Sequence, residues 1–176
     1  MDHVTELRTR GGLKILVRPA SLGDDSTLNE LYHHVSPEDL RFRFLSGTKE
    51  VSQSQIDLMT HVDHKSAETY IAFISGSDIP VATAMLASDT SGTRGEVAIS
   101  VRQEDKGRGI GWSLLSFLAD KARERGLEVI ESIESRANHD ALAVEKDLGF
   151  ETSPMPDDPS VLVLRKALGP PAIGIP

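Results

Sequence analysis

The sequence predicts an α/β fold in which helices cover the faces of a mixed β-sheet. Two observations support this fold class. The 176 residues fit one ordinary domain, and no internal segment has the composition of a long linker. Strand-like segments alternate with segments of helical periodicity, in the order β-α-α-α-β-β-β-α-β-α-β. We therefore expect one domain over residues 1–168 and a flexible tail over residues 169–176, which are rich in glycine and proline.

The first half of the chain is predicted to contain one strand followed by three helices. The apolar run that forms the strand stops at Pro19. In the first helix, Leu28, Leu31 and Tyr32 recur at helical spacing and so share one face. The predicted elements are a strand at 13–19 and three helices, which begin at Asp24 or Asp25, at Ser36 and at Ser52.

The second half is predicted to combine five strands with two further helices. Gly76, Ser77 and Asp78 separate the first two of these strands, which predicts a hairpin turn. The two helices end at Gly126 and Gly149, because glycine readily adopts the left-handed conformation that terminates a helix. The predicted strands are 69–75, 80–88, 94–102, 127–132 and 160–165, and the helices begin near Trp112 and at Asn138.

Composition and charge exclude several classes of function. The net charge is −8, whereas nucleic-acid binding requires a basic surface, and an acidic surface favours cationic partners such as amines. The chain has no cysteine, which excludes disulfides, cysteine nucleophiles and thiolate metal sites. The N-terminal residues lack the apolar core of a secretory signal, and no apolar run approaches the ~20 residues of a membrane helix. We predict a cytoplasmic protein with neither a nucleic-acid nor a membrane partner.

A glycine-rich loop between a predicted strand and a predicted helix has the properties of an anion-binding site. The first N–H groups of a helix have no internal partner, and the helix dipole places partial positive charge there. Glycines allow an anion to approach the main chain closely. Two basic side chains add full positive charges. The loop consists of Lys106, Gly107, Arg108, Gly109, Ile110 and Gly111.

The loop does not match two common nucleotide-binding patterns. A P-loop has lysine and then serine or threonine after its last glycine, whereas Trp112 and Ser113 follow Gly111 here. A dinucleotide-binding fingerprint requires glycine at position 112 and a tighter turn after the strand. Taken alone, the loop is also compatible with a glycine-rich turn that binds no ligand.

The loop and a later segment together resemble the two conserved motifs of the GNAT acetyltransferases. Residues 101–111 resemble motif A, whose core is Gln/Arg-x-x-Gly-x-Gly/Ala, with Lys106 in the place of glutamine or arginine. Asn138, with Gly149 and Phe150 at the expected distance, resembles motif B. The resemblance covers nearly the whole chain. It implies a mostly antiparallel sheet and an acetyl-CoA-dependent N-acetyltransferase.

Within this family, the chain resembles the catalytic domain of bacterial protein lysine acetyltransferases. Residues 36–44 are similar to the Ser-Pro-Glu-Ser-x-x-x-Arg-Phe segment of those enzymes. Residues 58–64 are similar to their Leu-Thr-x-x-Asp stretch. This similarity supports the class of enzyme more strongly than it supports any one acceptor substrate.

The resemblance also implies where acetyl-CoA binds. Motif A implies that the loop and the start of the next helix meet the pyrophosphate, and that the strand before the loop contacts the acetyl and pantetheine groups. Motif B implies that Asn138 binds the cofactor arm, although asparagine is also a common N-cap. The cofactor-binding residues so implied are Ile99, Ser100, Val101, Lys106, Gly107, Arg108, Gly109, Ile110, Gly111, Trp112 and Asn138.

Glu96 is the predicted general base, because the resemblance places the family's glutamate base on the strand that precedes the loop. We expect the flanking Val97 and Ile99 to desolvate its carboxylate. Many GNAT enzymes have a tyrosine, seven residues after the motif B asparagine, that protonates the departing thiolate. Glu145 holds that position here, so no general acid is assigned.

No metal site is predicted, although the chain has six histidines. The pairs His33 with His34 and His61 with His64 have no acidic partner at a recognisable ligand spacing. Three functions remain open from sequence: acetylation of a protein lysine, acetylation of a small amine, and acyl-CoA binding without catalysis. The presence of Glu96 beside an intact glycine loop favours the two enzymatic functions.

Overall fold

In a computed structural model, which describes residues 3–44 and 50–169, the chain forms an eight-stranded sheet with helices packed on both faces. The strands are β1 (Thr5–Arg8), β2 (Lys14–Pro19), β3 (Ala67–Ile74), β4 (Pro80–Ser88), β5 (Arg94–Val101), β6 (Val129–Ser135), β7 (Glu151–Met155) and β8 (Asp158–Ala167). The helices are α1 (Asp25–His33), α2 (Pro37–Phe44), α3 (Gln53–Thr60), α4 (Ile110–Glu124) and α5 (His139–Asp147). The predicted tail falls outside the described residues from position 170 onward.

The sheet is mixed and mostly antiparallel, as predicted. Its strand order is β1-β2-β3-β4-β5-β6-β8-β7. Six of the neighbouring pairs are antiparallel, and β5 with β6 is the parallel pair among the described strands. The connection between these two strands contains α4, because parallel neighbours require a crossover that is usually helical.

Two strands were missed from sequence, so the predicted element order was wrong at both ends of the sheet. β1 is only four residues long and alternates between half-buried and exposed positions. β7 contains Pro154 and is almost entirely exposed. Both are edge strands that pair on one side only, so neither carries the apolar pattern on which the prediction relied.

The core consists of two apolar clusters, one on each face of the sheet. On β3, Tyr70 and Ala72 belong to the cluster beneath α4, whereas Ile71 belongs to the cluster beneath α1 and α3. This arrangement follows from the alternation of side chains along a strand. In α4, the predicted stripe of Leu114 and Leu118 is fully buried. The sheet therefore lies between two layers of helices and contributes side chains to both apolar clusters.

Gly95 on β5 lies in a tightly packed part of the core, next to Leu127 and Leu86. A Cβ atom at this position would lie 2.8 Å from Leu127 Cδ1 and 2.9 Å from Leu86 Cδ1. Gly95→Ala should therefore lower the free energy of unfolding by about 1–3 kcal/mol, the usual result of overpacking a core. Denaturant titration measures the loss. Gly23→Ala is the matched control, since open space surrounds Gly23, and equal stability of the two variants would contradict the prediction.

Candidate active site

The candidate active site lies where β5 and β6 separate. Their parallel pairing covers only Arg94–Glu96 and Val129–Glu131, although both strands continue beyond these residues. Past that point, β5 remains paired with β4, and β6 remains paired with β8. Each strand therefore presents backbone N–H and C=O groups toward a gap in the middle of the sheet.

The gap opens into a cleft of about 490 Å³, which lies within the usual range for small-molecule sites. Its walls come from α2, β5, the glycine loop, the start of α4, the end of β6, and α5. Apart from Arg108, all of the predicted site residues line the cleft. These are Glu96, Ile99, Ser100, Val101, Lys106, Gly107, Gly109, Ile110, Gly111, Trp112 and Asn138.

The glycine loop turns its backbone toward this cleft. Gly107 and Gly109 both have positive φ, at 78° and 81°, and Gly109 is the N-cap of α4. No described residue accepts a hydrogen bond from the N–H groups of Gly107, Arg108 or Gly109. The first N–H groups of α4 likewise have no partner within the helix. Together these donors form a concave, electropositive surface suited to a phosphate.

The two basic side chains of the loop are already paired with carboxylates. Lys106 Nζ lies 2.7 Å from Asp39 Oδ2 on α2, and Arg108 Nη1 lies 2.8 Å from Asp105 Oδ1. Arg108 is absent from the cleft lining. Each of the two full positive charges expected on the loop is therefore accompanied by a carboxylate counter-charge. The unpartnered N–H groups of the loop add to the positive potential beside these paired side chains.

Trp112 forms one edge of the cleft and is held from two sides. Its Nε1 donates a hydrogen bond of 3.1 Å to Asp147 Oδ2 on α5, and the Arg10 guanidinium lies 3.9 Å from the centre of its ring. Arg10 also forms an ion pair with Asp147. The turn between β1 and β2 is thereby attached to the start of α4, beside the glycine loop.

Ser100 is a buried polar residue in the cleft wall without a partner of its own. Its side chain is 5% exposed, and no described residue lies within hydrogen-bonding distance of its Oγ. Ile99 and Val101 on either side are half-buried and also line the cleft. Leaving this buried hydroxyl unpaired is unfavourable for the ligand-free protein.

Asn138 is both an N-cap and part of the cleft wall. Its Oδ1 accepts a hydrogen bond of 3.4 Å from the Ala141 N–H in the first turn of α5. Its Nδ2 donates to Glu134 Oε2 at 3.1 Å. These bonds fix the side chain at the rim of the cleft, and the capping role anticipated from sequence is confirmed.

Glu96 lies at the point where the two strands separate. Its side chain is exposed and forms no hydrogen bond or ion pair with a described residue. The expectation that Val97 and Ile99 desolvate it is wrong. Successive side chains on a strand point to opposite faces, so residues adjacent in sequence face away from Glu96. The carboxylate is accessible and unpaired rather than buried.

A buried carboxyl group in the cleft wall was missed from sequence. Glu145 on α5 is 5% exposed, and burial together with the adjacent Glu134 carboxylate raises its pKa to about 9. Its Oε1 lies 2.9 Å from Ser132 Oγ on β6. The only sequence signal was its position seven residues after Asn138, which gives no information about burial.

The described residues hold no obvious metal site and no membrane span. Within residues 3–44 and 50–169, no three His, Asp or Glu side chains converge as metal ligands would. His64 instead contacts the buried Glu68, with 2.7 Å between Nδ1 and Oε1. None of the helices in these ranges is both long and apolar enough to cross a bilayer.

Comparison with known families agrees with this geometry. The model of the acetyltransferase (GNAT) family matches residues 28–150, which include the glycine loop, both separated strands and all of α5. The chain belongs to the GNAT acetyltransferase family. Its members are acetyltransferases, so the chain is an acetyl-CoA-dependent enzyme of this class.

Individual proteins named as acetyltransferases or as GNAT domains are similar over almost the whole chain. A Pseudomonas aeruginosa protein named as an acetyltransferase is 27% identical over 169 residues, covering 95% of this chain and 90% of the relative. The crystal structure of the GNAT domain of S. lividans PAT superposes with a TM-score of 0.84 at 26% identity, covering 93% and 96% of the two chains. The structure of yncA from Salmonella typhimurium with its cofactor acetyl-CoA has a TM-score of 0.71 at 18% identity, over 90% and 98%.

The residues present in this GNAT cleft fit acetyl-CoA chemically. The unpaired N–H groups of the loop suit the pyrophosphate of acetyl-CoA. The gap beside β5 offers backbone hydrogen-bond partners to the amides of its pantetheine arm. When bound, acetyl-CoA supplies an activated thioester, and the chain supplies the groups that position it and move protons.

Proposed function

We propose that the chain transfers an acetyl group from acetyl-CoA to a protein lysine, with Glu96 as the general base. In this proposal the N–H groups of Gly107 to Trp112 hold the pyrophosphate, beside Lys106. The strand segment Ile99 to Val101 and Asn138 hold the pantetheine arm. The single observation that carries the proposal is the position of Glu96, free of partners, at the point where the cleft opens between β5 and β6.

A base is needed because the acceptor nitrogen is protonated at neutral pH. A lysine with a pKa of ~10.4 is neutral in only about one molecule in 2,500 at pH 7, which corresponds to roughly 4.6 kcal/mol. An accessible carboxylate can remove this proton directly or through one water molecule. Glu96 is suited to this task because no arginine or lysine of the described chain competes for it.

A protein lysine as acceptor is supported by the wall that α2 forms. The segment that resembles bacterial protein lysine acetyltransferases, residues 36–44, folds into α2 and its N-cap. From α2, Asp39, Phe42 and Arg43 line the same cleft as Glu96. Acidic groups in the cleft and a net charge of −8 favour a cationic substrate.

Acceptor preference is measured by incubating the enzyme and acetyl-CoA with three groups of amines. These are folded proteins, lysine-containing peptides with blocked N-termini, and small amines including free amino acids. Released CoA is quantified with a thiol reagent, and mass spectrometry locates the acetyl group. We expect lysine Nε acetylation, with a higher kcat/KM for proteins and peptides than for small amines.

The other outcomes separate the alternatives. Turnover confined to small amines would contradict the proposed acceptor and leave the GNAT chemistry intact. Tight acetyl-CoA binding without turnover of any amine would indicate an acyl-CoA-binding module. A matched reaction without the enzyme shows whether any acetylation is enzymatic, since activated thioesters also acetylate exposed lysines spontaneously.

A further inference from the structure

A cluster of two carboxyl groups and one hydroxyl forms the wall of the cleft opposite β5. Ser132 Oγ lies 2.9 Å from Glu145 Oε1 and 3.0 Å from Glu134 Oε1. The second oxygen of Glu134 accepts a hydrogen bond from Asn138 Nδ2. All four residues are among those that line the cleft, and they come from β6, α5 and its N-cap.

The two short contacts of the Ser132 hydroxyl can both be hydrogen bonds only if one of the two carboxyl groups is protonated. A hydroxyl has a single proton, so Ser132 can donate to only one of the two carboxyl oxygens beside it. Both contacts are satisfied when Glu145 is protonated and donates to Ser132, which in turn donates to Glu134. The other oxygen of Glu145 is buried without a partner, which would be far more costly for a carboxylate than for a neutral acid.

No cation of the described residues is in contact with the Glu145 carboxyl group. Among the described residues, Glu145 forms no ion pair, and Glu134 is the charged group in contact with it. The other charged groups on the surrounding elements are exposed or paired elsewhere. They are Glu96 on β5, Glu131 on β6 with its two arginines, and His139, Asp140, Lys146 and Asp147 on α5. Glu145 therefore carries its proton at neutral pH.

We propose that Glu145 donates this proton to the thiolate that departs from the acetyl group, and that Ser132 and Glu134 return a proton to it. In the step, the amine nitrogen forms a bond to the acetyl carbon, and the carbon–sulfur bond breaks with its electron pair on sulfur. The S–H bond forms as the O–H bond of Glu145 breaks. The nitrogen releases its surplus proton to Glu96 or solvent, and Glu145 recovers one from solvent through Ser132 and Glu134.

The Glu145 carboxylic acid and the departing thiolate are suited to each other as proton donor and proton acceptor. Burial and the Glu134 carboxylate raise the pKa of Glu145 toward that of a thiol, ~8.5, so Glu145 holds its proton until the thiolate forms, whereas an ordinary carboxylic acid would already have lost it at neutral pH. A carboxylate at this place would instead repel the developing thiolate. The inference rests on acetyl transfer from acetyl-CoA and does not depend on which amine accepts the group.

Glu145→Gln preserves the shape and the donor capacity of the side chain but removes the transferable proton. With the amine that is turned over fastest, kcat at pH 7 should fall about 10- to 100-fold, near the lower end of acid–base effects because a thiolate leaves tolerably unaided. KM for acetyl-CoA should change little. The wild-type kcat should decline as the pH rises through about 9, and this decline should be missing in the variant.

A second measurement uses the protein without any acceptor. Infrared spectra of the wild type at pH 7 should contain a carboxylic acid C=O band that is lost as the pH rises through about 9, and that is missing from Glu145→Gln. CoA binding should shift this band, because the acid then meets the sulfur. Glu151→Gln, on exposed β7, should leave the band unchanged. Absence of the band, indifference to CoA, or full turnover in Glu145→Gln would overturn the inference.

Stability provides an independent check on the protonation state. The folded-state pKa of Glu145 lies above its ordinary value of 4.5, so the folded protein binds the additional proton between these values. The contribution of this group to stability is therefore full below pH 4.5 and is lost as the pH rises to about 9. Relative to Glu145→Gln, the wild type should lose stability over this window. A constant difference between the two would contradict the assignment.

Discussion

Replacing Glu96 with glutamine should lower turnover at pH 7 by about 10²- to 10⁴-fold, the usual contribution of a general base. Glutamine keeps the shape of the side chain but cannot accept a proton. The affinity for acetyl-CoA should remain nearly unchanged, because the glycine loop lies about ten residues further along the chain. Steady-state kinetics with acetyl-CoA and the preferred amine measure both quantities.

The dependence of this loss on pH identifies its cause. As the pH approaches the pKa of the amine, ~10.4 for lysine, more of the substrate is already neutral and the base contributes less. The ratio of wild-type to variant turnover should therefore shrink with rising pH. Glu131→Gln is the matched control, since Glu131 is the register partner of Glu96 but is paired with Arg94 and Arg165. Wild-type turnover in Glu96→Gln, with chemistry rate-limiting, would remove Glu96 from the mechanism.

Gly109→Asp should abolish the stabilisation that acetyl-CoA gives to the wild-type protein. At a concentration of 100 Kd, a ligand adds about 2.7 kcal/mol, or roughly 5–10 °C in Tm for a chain of this size. The variant places a negative charge where the pyrophosphate must lie. Its Cβ would also sit 3.4 Å from Thr9 Cβ on a backbone with φ of 81°, a conformation unfavourable for most side chains. Thermal melts with and without acetyl-CoA measure the effect.

Two further variants separate charge from backbone strain. Gly109→Ala adds the same Cβ without the charge and should retain part of the acetyl-CoA shift. Gly76→Asp introduces an aspartate at a comparable φ of 86°, in the open turn between β3 and β4, and should keep the full shift. NAD and ATP should stabilise the wild type much less than acetyl-CoA. An equal shift with either nucleotide would contradict the assignment of the loop to acetyl-CoA.

Local patterns in the sequence predicted the parts of the site that depend on local structure. The glycine loop, the start of α4 and the helix ends at Gly126 and Gly149 follow from residue types that restrict the backbone directly. The cleft itself is a property of two strands that are distant in sequence, and its position could be expected only through the family resemblance. The sequence pattern did not indicate which of the site's side chains are buried by other elements and which remain exposed.

Glu96 and Glu145 show this limit most clearly. Glu96 has apolar neighbours in sequence but is exposed, because those neighbours point to the other face of β5. Glu145 resembles an ordinary charged residue on an amphipathic helix, yet the packing of α5 against β6 buries it beside Glu134. Long-range packing decides the environment of a carboxyl group, and no short window of sequence contains that information.

The separation of β5 from β6 also has a consequence for aggregation. An unpaired strand edge can recruit a strand from another molecule, and this opening adds two inner edges to the two outer ones. Residues of α2, α4 and α5 line the cleft at the inner edges, which leaves room for a ligand or a single side chain rather than a further β-strand. Outside, β1 is short and carries exposed charges, and β7 contains Pro154, which lacks an N–H group. Each edge of the described sheet is thus protected against intermolecular pairing by a different means.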